Sequence, residues 1–141
     1  MSDPQLEKLA ASPPVVGGVV PCLQSSDASA KADFYVKAFA AEDLFRFEPD
    51  EQGRTMHIHL RINGNSVMLS DAYPDHGYAL ETPGAFTLHL QVDDVDAWFE
   101  RAIKAGAETL MAPQLMFWGD RYGQLKDPYG VKWSIATTPK A

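Results

Sequence analysis

The side chains best equipped for chemistry in this 141-residue chain are its histidines. His57 and His59 stand two apart in the stretch Thr55–Asn63, where Met56, Ile58, Leu60 and Ile62 alternate with Thr55, His57, His59 and Arg61. Strict alternation is the period of a strand, so the two imidazoles project from one face. His89 takes the matching polar face of a second alternating run, Phe86–Val92, with Gln91 two residues on. Three imidazoles make a good Zn²⁺ site. The alternative is a polar strand face near water, with the rings hydrogen-bonded or solvated and no metal. Cys22 would be a nucleophile if a histidine lowered its pKa, but its Val-rich surroundings suit a small core side chain. Ser25, Ser26 and Asp27 lack the strained Gly-x-Ser-x-Gly turn of a nucleophile and read as a helix cap. Phe117, Trp118 and Tyr122 surround Arg121, offering flat apolar area and a cation for a carboxylate or phosphate. The competing reading pairs Arg121 with Asp120 and uses Trp118 to close the core or a dimer contact. The candidate ligand-binding residues are therefore His57, His59, His89, Gln91, Trp118 and Arg121.

These residues need elements to hold them. Residues 1–14 are polar, end in Ser-Pro-Pro and read as a flexible tail. Residues 15–24 are Val-rich and strand-like. Ser26 or Asp27 caps a helix over 28–40 whose stripe is Ala30, Phe34, Ala38 and Ala41. Leu44, Phe45 and Phe47 make a short strand that stops at Pro49, before the His57/His59 strand. Asn63-Gly64 suits a tight hairpin to a partner strand at 66–70. Tyr73–Gly84 reads as a connection. After the His89 strand, Asp93 or Asp94 caps a helix to about 105 that buries Val95, Trp98, Phe99, Ala102 and Ile103, and Gly106 ends it. Strands follow at 108–116, 121–126 and 131–137, the last two joined by Asp127-Pro128-Tyr129-Gly130.

The two halves repeat. Gln24, Asp27, Lys37, Ala38 and Ala40 recur at one constant offset as Gln91, Asp94, Lys104, Ala105 and Ala107. Each half reads strand–helix–strand–strand–strand and is too small alone to bury a good core. The expectation is an α+β fold: one domain over 15–138 made of two βαβββ modules in tandem, about 15–73 and 85–138, whose curved mixed sheets enclose a cavity with the helices outside. Twelve Lys and Arg against nineteen Asp and Glu give a net charge of −7, which argues against nucleic acid or an anionic membrane as partner and mildly favours a cationic small molecule. The apolar run Val15–Leu23 is too short to span a bilayer, the opening residues lack the features of a signal peptide, and the lone Cys22 suits a reducing compartment. The expected location is cytoplasmic.

With that pattern in place, the chain resembles the vicinal oxygen chelate superfamily, also called the glyoxalase/bleomycin-resistance/dioxygenase fold, over about residues 15–138. The resemblance is carried by Asp33-Phe34-Tyr35 with Ala38-Phe39, by Val92-Asp93-Asp94-Val95-Asp96, by Phe117-Trp118-Gly119-Asp120-Arg121-Tyr122-Gly123 and by Asp127-Pro128-Tyr129-Gly130-Val131-Lys132-Trp133. The last two runs look most like the PhnB-like branch. Enzymes of the family hold a divalent metal with one residue from the first and last strand of each half, and by spacing those positions fall on Val20, Met68, Thr87 and Ser134. None is a good ligand, and a slip of one residue offers only Leu69, Trp133 or Ile135. The resemblance thus implies a protein without metal or other cofactor that binds a small organic ligand in the cavity between its modules, drug sequestration being one form of this, and that forms a homodimer. Two alternatives stand beside it. One is a metal-dependent lyase, isomerase or dioxygenase using the non-standard ligands His57, His59 and His89, and the other is an interaction module with a vestigial cavity.

Overall fold

Asp-Pro at the N-terminus, two Asp-capped helices and two tight hairpins set the element order. The structure, a computed structural model, describes residues 3–140. In chain order it has α1 (Pro4–Ala11), β1 (Cys22–Ser25), α2 (Ala28–Phe39), β2 (Glu42–Arg46), β3 (Ile58–Ile62), β4 (Asn65–Asp71), a 3-10 turn (Pro74–His76), β5 (Leu88–Gln91), α3 (Val95–Ala105), β6 (Glu108–Leu115), β7 (Arg121–Lys126) and β8 (Lys132–Thr137). The chain divides into two compact units. One holds β1–β4 and runs to Glu81; the other takes Lys37–Phe39 and everything from Thr82 on.

Each unit is built on a four-stranded mixed sheet of the same connectivity, β1-β4-β3-β2 and β5-β8-β7-β6. In both, the first strand pairs parallel with the last and the remaining pairs are antiparallel. A parallel pair needs a crossover, which α2 and α3 provide. The architecture is therefore α+β, with two βαβββ modules in tandem, as the repeat implies. Among the described residues, no helix is long and apolar enough to cross a membrane.

The caps form where the side chains dictate. Asp27 accepts from the Ala30 amide and Asp94 from the Ala97 amide, each at 3.1 Å. Gly106, at φ +123°, closes α3 in a conformation that L side chains rarely adopt. The first unit's core is Leu23, Ala28, Ala32, Tyr35, Ile58, Leu60, Ile62, Val67 and Leu69. The second packs Phe39 against Trp133, ring centroids 4.5 Å apart, with Leu90, Val95, Phe99, Leu125 and Ile135.

Two buried aspartates bolt the units. In the first, Asp71 accepts from the Ala28 amide at 2.9 Å and from the Thr55 amide at 2.7 Å, tying the end of β4 to the start of α2 and to the approach to β3. In the second, Asp127 accepts from the Tyr129 and Val131 amides and from the Trp133 indole N–H at 3.0 Å. Buried carboxylates are tolerated because each oxygen is hydrogen-bonded.

The structure differs from the sequence reading in several local respects, among them α3, which buries Val95, Phe99 and Ala102 while Trp98 and Ile103 are only half-buried. Residues Pro4–Ala11 form α1 where a flexible tail was expected, because Asp3 accepts from the Gln5 amide at 2.9 Å and Pro4 sits where a helix tolerates proline. The first strand shrinks to Cys22–Ser25, since Gly17, Gly18 and Pro21 interrupt what precedes it. The buried stripe of α2 is Ala28, Ala32, Tyr35 and Phe39 together with Phe34 and Ala38, while Ala30 is only half-buried. Met56, which the alternation puts on one strand face with Ile58, lies outside β3 and is 67% exposed.

Candidate functional site

In the first unit, β3 carries His59 to a buried position opposite Met68 and Phe45 in the neighbouring strands. Its Nε2 lies 2.7 Å from the Ser66 hydroxyl, which also accepts from the Val16 amide at 2.8 Å. Ser66 is fully buried. Burial, with His57 and Arg61 nearby, lowers the His59 pKa and favours the neutral ring, which shares a hydrogen bond with the Ser66 hydroxyl. A histidine–serine pair has the outward form of a base and nucleophile. A serine shut from solvent and held by a backbone amide is instead a structural partner. His57 sits half-buried beside Phe45 and Phe47, at 6.1 and 5.9 Å between ring centres, and burial lowers its pKa too. The metal alternative required these two rings with His89. Among the described residues, no three His, Cys, Asp or Glu side chains gather to hold a metal ion.

The positions at which the resemblance places metal ligands do not fit a divalent cation either. Met68 lies opposite Cys22 across the parallel pair of the first sheet, and Ser134 lies opposite His89 in the second. Val20 and Thr87 precede the strands altogether. A thioether and a hydroxyl already bonded to His89 at 2.7 Å are poor ligands.

The second unit assembles three of the six candidates. His89 is exposed on β5; its Nδ1 meets the Ser134 hydroxyl and its Nε2 is 2.9 Å from Gln91 Oε1. Gln91 in turn donates to the Thr138 hydroxyl at 2.7 Å. The ring stacks on Tyr122, 6.2 Å between centres and 17° from parallel, and Trp118 meets Tyr122 edge-on at 5.3 Å. His89, Gln91 and Trp118 thus share one aromatic and polar face. Both imidazole nitrogens are engaged, so the ring is oriented but has no free nitrogen for proton transfer. Arg121 does not join them. It bonds Asp96 on α3 through Nε and Nη2, at 2.7 and 2.8 Å, because residues next to each other on β7 point to opposite faces. Its partner is Asp96 and not Asp120.

A concavity within the first unit has no counterpart among the candidate residues of the sequence. It has a volume of about 600 Å³, lined by Phe47, Pro49, Met56, Tyr73 and Tyr78 with Gln5, Glu48, Asp50, Arg54 and His76 at its polar parts. A second trough of about 380 Å³ shares Met56, Tyr73 and Tyr78 and continues over Cys22, Gln24 and Ser70. Cys22 is exposed there, not in the core, because Leu23 and Ser25 take the inward positions of β1. The segment after β4, read as a simple connection, makes one wall. Tyr73 and Tyr78 exchange two backbone hydrogen bonds, at 2.7 and 2.9 Å, and Gln24 binds both the Ala79 carbonyl and the Glu81 amide. The other wall is fixed by Arg54, which reaches Asp50 at 2.9 Å and Asp75 at 2.6 Å and lies 4.4 Å over the Tyr73 ring. Arg54 holds both carboxyls below the usual carboxylate range, Asp75 chiefly through its guanidinium and Asp50 chiefly through its backbone amide. The sequence signal for this site was thin: Tyr73, Pro74, Tyr78 and Met56, apolar side chains clustered in a segment with no strand or helix period.

Comparison with known proteins agrees with the architecture. The family model described as Glyoxalase/Bleomycin resistance protein/Dioxygenase superfamily matches residues 17–135. The uncharacterized protein Mb0911c of Mycobacterium bovis is 46% identical over 121 residues, which cover 82% of this chain and 79% of that protein. TioX from Micromonospora sp. ML1 superposes with a TM-score of 0.69 at 26% identity, over 88% of this chain and 100% of TioX. The PhnB protein from Bacillus cereus shares the fold, with a TM-score of 0.66 at 22% identity over 86% of this chain and 99% of its own. Two tandem βαβββ modules of identical strand order, matched by a family model along most of the chain, place this protein in the glyoxalase/bleomycin resistance protein/dioxygenase superfamily.

Proposed function

We propose that the protein binds a small organic molecule, without the aid of a metal, in the aromatic trough of its first unit. One observation carries this reading: a concavity of about 600 Å³ whose apolar wall is Phe47, Pro49, Met56, Tyr73 and Tyr78. That volume falls in the range of small-molecule sites, which are mostly apolar with a few placed polar groups. The unsuitable side chains at Val20, Met68, Thr87 and Ser134 support a role without a metal. The net charge of −7 favours cationic over anionic ligands. His57 and His59 support the sheet beneath through Phe45 and Ser66 rather than touching the ligand. The same reading places the protein in the cytoplasm, since Cys22 is an exposed unpaired thiol. It also pairs the chain as a homodimer, with exposed Leu115 and Phe117 offering apolar surface. Light scattering that finds a monomer at micromolar concentration counts against pairing.

The test is a thermal-shift screen of aromatic cations and neutral aromatic metabolites on the wild type and on Met56→Glu. A ligand that binds only the folded state raises its melting temperature. At least one compound is expected to raise Tm by several degrees in the wild type and to lose that effect when a carboxylate stands in the trough. A uniformly flat screen overturns the reading.

A further inference from the structure

Tyr73 occupies an unusual place in the first unit. It lines both troughs, and Met56 and Tyr78 are the other residues the two have in common. Its backbone is fixed by the two hydrogen bonds to Tyr78, and its ring is pinned beneath the Arg54 guanidinium. Arg54 is itself anchored by Asp50 and Asp75, so the ring has little freedom to turn. The Tyr73 hydroxyl is nonetheless buried with no hydrogen-bond partner among the described residues. Buried hydroxyls are nearly always paired, and an unpaired one is a standing penalty that a partner relieves. Met56 and Tyr78 are 67% and 69% exposed, so their side chains are free to part around a molecule lying across both troughs.

We infer that Tyr73 is the residue that selects the ligand, donating its hydroxyl proton to an acceptor oxygen or nitrogen carried on a flat apolar body. This rests on the trough being the ligand site, and it names the ligand's chemistry: an aromatic ketone, quinone, ester or N-heterocycle rather than a bare hydrocarbon or an alkylamine. Burial and the carboxylates of Asp50 and Asp71 raise the phenol's pKa, so it remains a donor throughout the neutral range. A site built to hydrogen-bond one ligand group discriminates against the analogue that lacks it more sharply than an apolar pocket does, because the unpaired donor persists.

The experiment uses two probes of nearly the same shape, 2-acetylnaphthalene and 2-isopropenylnaphthalene, which differ by a carbonyl oxygen against a methylene. Dissociation constants are measured by calorimetry on the full chain, on Tyr73→Phe and on Met56→Glu, with circular dichroism and Tm confirming that each variant is folded. The wild type is expected to bind the ketone about five- to tenfold tighter than the alkene, the scale of one hydrogen bond. Tyr73→Phe is expected to bring that ratio to about one without lowering Tm, since it removes only an orphaned hydroxyl. If both probes bind, Met56→Glu weakens both, and the ratio is the same with and without the hydroxyl, the role given to Tyr73 is wrong while the trough stands. If neither probe binds, or Met56→Glu leaves both affinities unchanged, the trough reading fails and this inference with it.

Discussion

Replacing Asp71 removes the acceptor of two buried amides at once, and the size of the effect follows from their geometry. Its two oxygens take one N–H each, from Ala28 at 2.9 Å and from Thr55 at 2.7 Å, and the side chain is almost wholly enclosed. Hydrogen bonds to a charged acceptor contribute about 1.5–3 kcal/mol each, and amides left unpaired in the interior add their desolvation. Relief of the carboxylate's own desolvation offsets part of this, so Asp71→Ala is expected to cost about 3–5 kcal/mol, a large share of a domain's stability. Asp71→Asn is the more telling variant. Its amide offers one acceptor and one donor to two donors, so one N–H faces an NH₂ group, and the loss should lie within about 1 kcal/mol of the alanine value. The assay is urea denaturation, where a loss of about 4 kcal/mol moves the midpoint by roughly 2 M at a slope near 2 kcal/mol/M. Amide exchange at Ala28 and Thr55 locates the effect. If Asp71→Asn matches the wild type in both measurements, the two-donor account of this bolt is refuted.

The remaining predictions concern titration and helix ends. The folded-state pKa values of His57 and His59 are lowered, so the unfolded chain binds more protons as the pH drops through about 6.5, and stability is complete above that value and declines below it until the lowered pKa values are passed. Denaturation midpoints at pH 7.5 and 5.5 check this, and His57→Gln should flatten the difference; a steeper dependence in the variant contradicts it. Asp27→Ala and Asp94→Ala each remove the acceptor at a helix start and should lower stability by about 1 kcal/mol apiece, measured by urea titration. Because the two caps belong to separate helices, the double variant should show the sum within about 0.5 kcal/mol.

Where the sequence was legible, one physical rule dominated locally. The alternation over Thr55–Ile62 marks a strand, and its second half forms one, from Ile58 to Ile62, but the alternation says nothing of burial: Ile58, His59, Leu60 and Ile62 are all buried there and only Arg61 is half-buried. Asp27 and Asp94 announce their helices because short side-chain oxygens serve free amides better than any other residue there. The buried stripe of α2 differs from the sequence pattern because Ala30 and Ala32 are equally apolar, and only the packing of Tyr35 and Phe39 chooses between them. The site was read least well. Polar strand residues are conspicuous in a sequence, but His59 turned inward to Ser66 and Arg121 toward Asp96, partners that depend on register and on a neighbouring helix. His89 and Gln91 share a face of β5, the i, i+2 relation of a strand, while Trp118 reaches them only through Tyr122, a contact that no spacing in the sequence announces. Tyr73 and Tyr78 were invisible because what brings them together is a pair of backbone hydrogen bonds and the reach of Gln24, which follow no period.

The claim that the trough of the first unit receives the ligand is tested most directly by methyl NMR of methionine-labelled protein during titration with 2-acetylnaphthalene. The chain has five methionines, of which Met56 lines the trough while Met111 and Met116 belong to the second unit. The Met56 methyl is predicted to shift saturably with added ligand while Met111 and Met116 stay in place. A Met56 signal that does not move while the second-unit methyls do would contradict the account.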